Sequence, residues 1–193
     1  VESTYEVNDI KRVWLDRNLG ATQVATSSTD AASYGDLYQW GRAADGHESR
    51  TSATTATLAT TITPGTNTFV TTNTSPWDWT SADSSGSSRI SAWADGGAND
   101  ICPPGFSVPT EAELTADTTG ATNSATAFSS FLKIPVAGYR HREDGAINDV
   151  GLYAALWSRD VDGSYGQGQR WDSNNSIGSS RRAYGFSVRC IKD

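Results

Sequence analysis

The residue types able to do chemistry are few in this chain, and their spacing says what they are for. There are two histidines: His47 follows Asp45-Gly46 and precedes Glu48, and His141 lies between Arg140 and Arg142. A general base needs an oriented partner and a nucleophile within reach; the sequence supplies neither beside these rings, so both read as exposed or structural. Asp160-Val161-Asp162-Gly163-Ser164 has the opening of a calcium loop, but Trp171 stands where that loop needs a bidentate Glu. The Asp-Gly pair reads instead as a hairpin turn. Glu111 and Glu113 are paired carboxylates with a structural explanation. Thr110 can accept the Glu113 N–H while that carboxylate reaches back, which is a capping box. Arg140, Arg142, Glu143 and Asp144 read as an ion-pair turn or part of a ligand rim, the solvated turn being the stronger reading. No nucleophile elbow or phosphate-binding glycine loop occurs. The chain is expected to be no enzyme and to need neither cofactor nor metal.

Cys102 and Cys190 lack the companion ligands of a zinc site. They are either two buried thiols or a disulfide, which would close a long loop and contribute about 4 kcal/mol. The disulfide is the favoured reading and points to an oxidising compartment.

The elements that must position these groups are short. Hydrophobic residues make up 36% of the 193 residues and charged ones 19%, while seven Trp, seven Tyr and five Phe exclude a disordered chain. The core must then be built on a few large rings. A net charge of -7 with no Lys/Arg run argues against nucleic acid and anionic membrane surfaces as partners. No stretch approaches the roughly 20 apolar residues of a membrane span.

Lys11 to Asp16 reads as a strand, and Asp30 to Tyr34 as a short helix capped by Ser28, Thr29 or Asp30. The Thr/Ser-rich stretch 51–92 reads as an insertion pinned to the body by Phe69, Trp77, Trp79 and the nearby Trp93. Two helices are expected, one opened by Thr110 and one carrying Phe128, Phe131 and Leu132 at i, i+3, i+4 spacing and ended by Lys133-Ile134-Pro135. Short strands follow: 137–140, 152–157, 165–171 and 185–190. Along 165–171, Trp171 and Gln169 would share one face and Gly168 and Arg170 the other; the sequence leaves open which face is inside. The fold class is α+β, one domain over 1–193 with two helices ahead of an antiparallel sheet.

Three blocks together resemble a known family. They are Trp14-Leu15-Asp16-Arg17-Asn18-Leu19-Gly20-Ala21 with Gly35-Asp36-Leu37-Tyr38-Gln39-Trp40-Gly41-Arg42; Cys102-Pro103-Pro104-Gly105-Phe106-Ser107-Val108-Pro109-Thr110; and Gly138-Tyr139-Arg140, Leu156-Trp157-Ser158 and Arg182-Ala183-Tyr184-Gly185-Phe186-Ser187-Val188-Arg189-Cys190. They resemble the Fibrobacter succinogenes major paralogous domain over nearly the whole chain and in the family's order. The resemblance implies a C-type-lectin-like fold with small antiparallel sheets and long loops, and a structural Cys102–Cys190 disulfide. It also implies kinship in use with the variable proteins of diversity-generating retroelements, the phage major tropism determinant being more distant in fold.

In such proteins a segment near the C-terminus is diversified by mutagenic reverse transcription on a fixed backbone. Residues 153–182 match that segment in place and are rich in Gly, Ser, Asn, Asp, Tyr and Arg, several of which an Asn codon reaches through adenine changes. Gln167, Gln169 and Trp171 depart from that pattern, and Leu156 stands where the family has an aromatic. The implied function is ligand binding or receptor recognition, through Tyr153, Leu156, Arg159, Asp160, Asp162, Tyr165, Gln167, Arg170, Trp171 and Ser173. These residue types suit a binding face, with rings for contact area and small polar groups for adaptable hydrogen bonds. The partner would be a protein or glycan on another cell or virion, met at a virion surface or an extracellular cell surface. Oligomerisation is left open, because no heptads require it. Two alternatives stand beside this reading: an invariant adhesin or carbohydrate-binding domain of the same fold, and, last, a formylglycine-generating-type enzyme. Calcium-dependent sugar binding is not expected, since the Glu-Pro-Asn, Gln-Pro-Asp and Trp-Asn-Asp triplets are absent.

Overall fold

The structure, a computed structural model, describes residues 1–7, 10–172 and 174–193. The chain opens with β1 (Glu2–Val7) and β2 (Ile10–Val13), then a 3-10 turn at Ala31–Ser33 capped by the Asp30 carboxylate. The strands β3 (Tyr38–Gln39), β4 (Thr54–Thr55) and β5 (Phe69–Val70) precede α1 (Ser87–Ala92). Next come β6 (Phe106–Ser107), α2 (Glu111–Thr118) and α3 (Ser124–Ser129). The C-terminal third holds β7 (Tyr139–Arg140), β8 (Ile147–Asn148), β9 (Ala154–Asp162), β10 (Tyr165–Trp171), β11 (Asn175–Ile177), β12 (Ser180–Arg181), β13 (Gly185–Phe186) and β14 (Ile191–Lys192).

This is a mixed α+β fold of several small sheets, antiparallel apart from the parallel pair β4–β5. The β9–β10 hairpin, turned by Gly163 at φ 57, is its longest pairing. Strand β10 pairs with β9, β11 and β12, while β13 is flanked by β3 and β7. Strand β14 pairs with β6, and Cys102 is bonded to Cys190 across 88 positions, so the chain's end is tied to its middle twice.

The core follows from the composition. Six tryptophans (Trp14, Trp40, Trp79, Trp93, Trp157 and Trp171) are at most 1% exposed. A buried indole N–H left unpaired would cost stability, and each of these finds an acceptor. Trp157 donates to the Tyr38 carbonyl at 2.8 Å, Trp40 to Ser158, Trp79 to Trp40, Trp93 to Arg42, Trp171 to Ala121, and Trp14 to the Asp117 carboxylate.

The Thr110–Glu113 capping box forms as expected and fixes the start of α2. Three expectations need correction. A third α-helix, α1, lies inside the Thr/Ser-rich stretch; Arg89 on it is fully buried. The helix expected to carry Phe128, Phe131 and Leu132 stops at Ser129, because the Ser129 and Ser130 hydroxyls donate back to the Ala125 and Ala127 carbonyls and compete with further helix. Leu132 packs into the core from beyond it. The expected 185–190 strand ends at Phe186, with Ser187 bridging Leu156, and pairing resumes only beyond it at Ile191–Lys192.

The 51–92 stretch is held by its rings, Phe69 and Trp79 being fully buried. It is held as firmly by charge. Asp78 accepts both ends of the Arg89 guanidinium, at 2.7 and 2.6 Å, and a further bond from Arg182 at 3.2 Å. Both guanidiniums lie about 5 Å from the Trp40 ring.

Candidate functional site

His47 is strongly altered by its surroundings. It is fully buried, and its Nε2 accepts the Gln39 N–H at 3.0 Å. The neutral ring's proton therefore sits on Nδ1, 2.7 Å from the Asp45 carboxylate. Asp45, His47 and Glu48 are the one cluster among the described residues with metal-ligand spacing. Yet both ring nitrogens are committed to the chain, and Glu48 accepts the Gly46 N–H. The cluster is a loop tie.

Burial pushes the His47 pKa down to about 4 from 6.5, against the pull of Asp45. Between those values the unfolded chain binds a proton that the folded chain refuses, so stability is complete above about pH 6.5 and declines as the pH falls toward 4. We expect the ring to account for about 3 kcal/mol of that loss. Urea unfolding at pH 7 and pH 4.5, a window that spans most of that shift, would check this: the loss should shrink by about 2 kcal/mol in His47→Gln. An equal loss in both proteins would contradict it.

The candidate calcium loop is a hairpin, and its carboxylates are used by the chain. Asp160 accepts the Glu111 N–H at 2.7 Å, at the first turn of α2, and Asp162 accepts the Ser179 hydroxyl. Arg159 turns the same way as Asp160, donating to the Ser107 hydroxyl and the Val108 carbonyl.

The outward side of β10 meets a concavity of about 360 Å³. Tyr165 and Arg170 come from β10, Tyr153 from the approach to β9, and Ser180 and Arg181 from β12; Tyr139, Asp149, Tyr184 and Phe186 complete the lining with Ser179. Aromatic contact holds the rings in place. Tyr139 meets Tyr153 edge-on at 5.2 Å and Tyr184 at 5.7 Å; Tyr184 stacks along Phe186, which lies 4.3 Å from the buried Trp157. Burial pushes the Tyr153 hydroxyl up to about 12, Arg170 opposing that rise. Arg181 stacks on Trp77 at 4.3 Å. Their sequence neighbours Arg182 and Asp78 are ion-paired beneath them, and Ala183 N–H bonds the Trp77 carbonyl, so the stack has a fixed base.

The structure answers the phasing question. Gln169 and Trp171 face inward, and Tyr165, Gln167 and Arg170 are partly exposed. Gly168, grouped with Arg170 in the sequence reading, is buried as well. A Cβ on Gly166 would lie 2.6 Å from the Trp40 ring, and one on Gly168 would lie 2.5 Å from the Leu156 carbonyl oxygen. Both positions exclude side chains.

Of the ten residues expected to bind ligand, Tyr153, Tyr165 and Arg170 converge on the concavity. Leu156 and Trp171 do not belong to any surface: both are fully buried in one core cluster, because β9 packs its Ala154–Ser158 run inward and Trp171 reaches the loop after α2. Arg159 and Asp160 serve the start of α2, Asp162 is exposed beside Ser179, and Gln167 is partly exposed outside the lining. Ser173 lies outside the described residues. The turn read as solvated is corrected too: Arg140 and Arg142 are buried, Arg140 over Phe69 and Arg142 over Trp77 and Tyr184. Tyr139, Asp149, Ser180, Arg181 and Tyr184 were not singled out as contacts, since β7, β12 and β13 bring them together from distant stretches.

No family model matches the chain, and neither a curated protein nor a solved structure matches it. Among the described residues, no helix is long and apolar enough to cross a membrane.

Proposed function

We propose that the chain is a non-catalytic ligand-binding protein with a C-type-lectin-like fold, and that its 153–182 segment is the diversified face of a variable protein of a diversity-generating retroelement, acting at a virion or cell surface. One observation carries this reading. Within a single hairpin, a buried framework alternates with a partly exposed tyrosine–arginine face that lines a cavity. Such a hairpin tolerates exchange on one face only, because the other fills the core. Of the four departures from the family's pattern, Leu156, Gln169 and Trp171 fall on the buried side and Gln167 is partly exposed. Rigid Tyr and Arg side chains at a concave centre are the residues that dominate binding energy at interfaces. A disulfide is compatible with exposure outside the cell.

The test is binding of the purified chain to immobilised glycans and surface proteins, in chelator, beside a Tyr165→Ala/Arg170→Ala double variant. Loss of two central contacts should weaken any ligand by about thirtyfold, at little change in melting temperature. A ligand held equally by both proteins would place the binding face elsewhere.

A further inference from the structure

We infer that the concavity takes a carboxylated sugar ring, held without calcium; this rests on the reading of the cavity as a ligand-binding face. Its volume of about 360 Å³ is in the range of small-ligand sites. Four of its lining residues are tyrosines, Tyr139, Tyr153, Tyr165 and Tyr184, which pair an apolar face with a hydroxyl edge, as the C–H face and hydroxyls of a pyranose do.

The polar groups are more specific. Arg181 makes no ion pair and no hydrogen bond among the described residues; its recorded partner is the Trp77 ring at 4.3 Å. The neighbouring guanidiniums have counter-charges: Arg142 pairs with Glu143 and also donates to the Thr72 carbonyl, and Arg182 pairs with Asp78 and also donates to backbone carbonyls. In a chain of net charge -7, a cavity-lining cation without a carboxylate is an anchor awaiting an anion. Beside it, Ser180 is 5% exposed, lines the cavity, and has a buried hydroxyl without a hydrogen-bond partner. Buried hydroxyls are normally paired; this one sits in the cavity wall with almost no surface of its own, whereas the equally unpaired Ser158 and Ser187 hydroxyls lie away from the cavity.

The lining also includes an exposed carboxylate, Asp149, which can accept hydroxyl protons but would repel a bare anion. Donors and an acceptor around one ring-walled space select a ligand that carries both a carboxylate and hydroxyls. A neutral sugar leaves Arg181 without a counter-charge, and a simple anion makes no use of Asp149.

NMR titration in EDTA with methyl glucuronide and methyl glucoside would decide. The glucuronide should perturb Arg181, Ser180 and Tyr184, and the glucoside should bind about tenfold more weakly. Arg181→Gln should lose about the same factor. Ser180→Ala should also weaken the glucuronide, yet leave the melting temperature unchanged or raised, since it removes an unpaired buried hydroxyl. A purely structural Ser180 would show no binding loss. Equal affinity for the two sugars, no binding of either, or tighter binding of a blocked Asp-containing dipeptide than of the glucuronide would overturn the inference. If it fails while the Tyr165→Ala/Arg170→Ala variant still loses a surface ligand, only the ligand class is wrong. If that variant also binds normally, the binding face itself is misplaced.

Discussion

Asp78→Ala should lower the unfolding free energy by about 3–5 kcal/mol. Asp78 is the carboxylate shared by Arg89 and Arg182, and all three side chains are almost wholly out of solvent. Removing it leaves Asp83 as the remaining carboxylate near two buried guanidiniums, 3.4 Å from the Arg89 Nε. A buried charge stripped of its partner cannot recover solvation without opening the structure. Asp78→Asn keeps an acceptor of the same shape and should cost less. The effect should reach the cavity, because Trp77 and Arg181 are the chain neighbours of the broken pair. Equilibrium urea unfolding measures the loss. A change under 1 kcal/mol would show that Asp83 and the backbone carbonyls suffice for the two arginines, and the Trp77–Arg181 base would then need another explanation.

Trp171→Ala is expected to cost about 3–5 kcal/mol, as large-to-small changes of a buried aromatic do. The ring packs among Leu114, Ala121, Leu132 and Leu156, and its N–H reaches the Ala121 carbonyl at 3.0 Å. Truncation opens a cavity and orphans that carbonyl. For a fold whose total stability lies in the usual range of about 5–15 kcal/mol, the loss is a large share. Tyr165→Ala, on the partly exposed side of the same strand, should stay within about 1 kcal/mol. Thermal or urea unfolding of the two variants separates framework from face. Similar costs would mean that the strand has no such division.

The hairpin, the capping box and the ring-built core were legible because each depends on residues close in sequence or on composition. Asp162-Gly163 demands a turn, Thr110 and Glu113 sit three apart, and seven tryptophans cannot be left in water. The inner face of β10 was not legible. Glycines at 166 and 168 carry no side chain to show the alternation, and their reason lies elsewhere, in the Trp40 ring and the Leu156 carbonyl. Leu156 and Trp171 looked like contacts because leucine and tryptophan suit a binding surface as well as a core. The cavity was half legible. Tyr153, Tyr165 and Arg170 belong to one local stretch, but Tyr139 and Tyr184 meet through the pairing of Arg140 with Gly185, a long-range event. Helix α1 was hidden by a weak local signal, since it is six residues long with a glycine at its cap, and the ion pairs of Arg89 hold it in place.

The most direct measurement is deep sequencing of the encoding locus across a population. A diversified face on a fixed framework predicts codon changes at Tyr153, Tyr165 and Arg170, with none at Leu156, Gly166, Gly168, Gln169 and Trp171, and a near-copy of the segment beside a reverse transcriptase gene. A uniform segment, or changes spread evenly over buried and exposed positions, would contradict it.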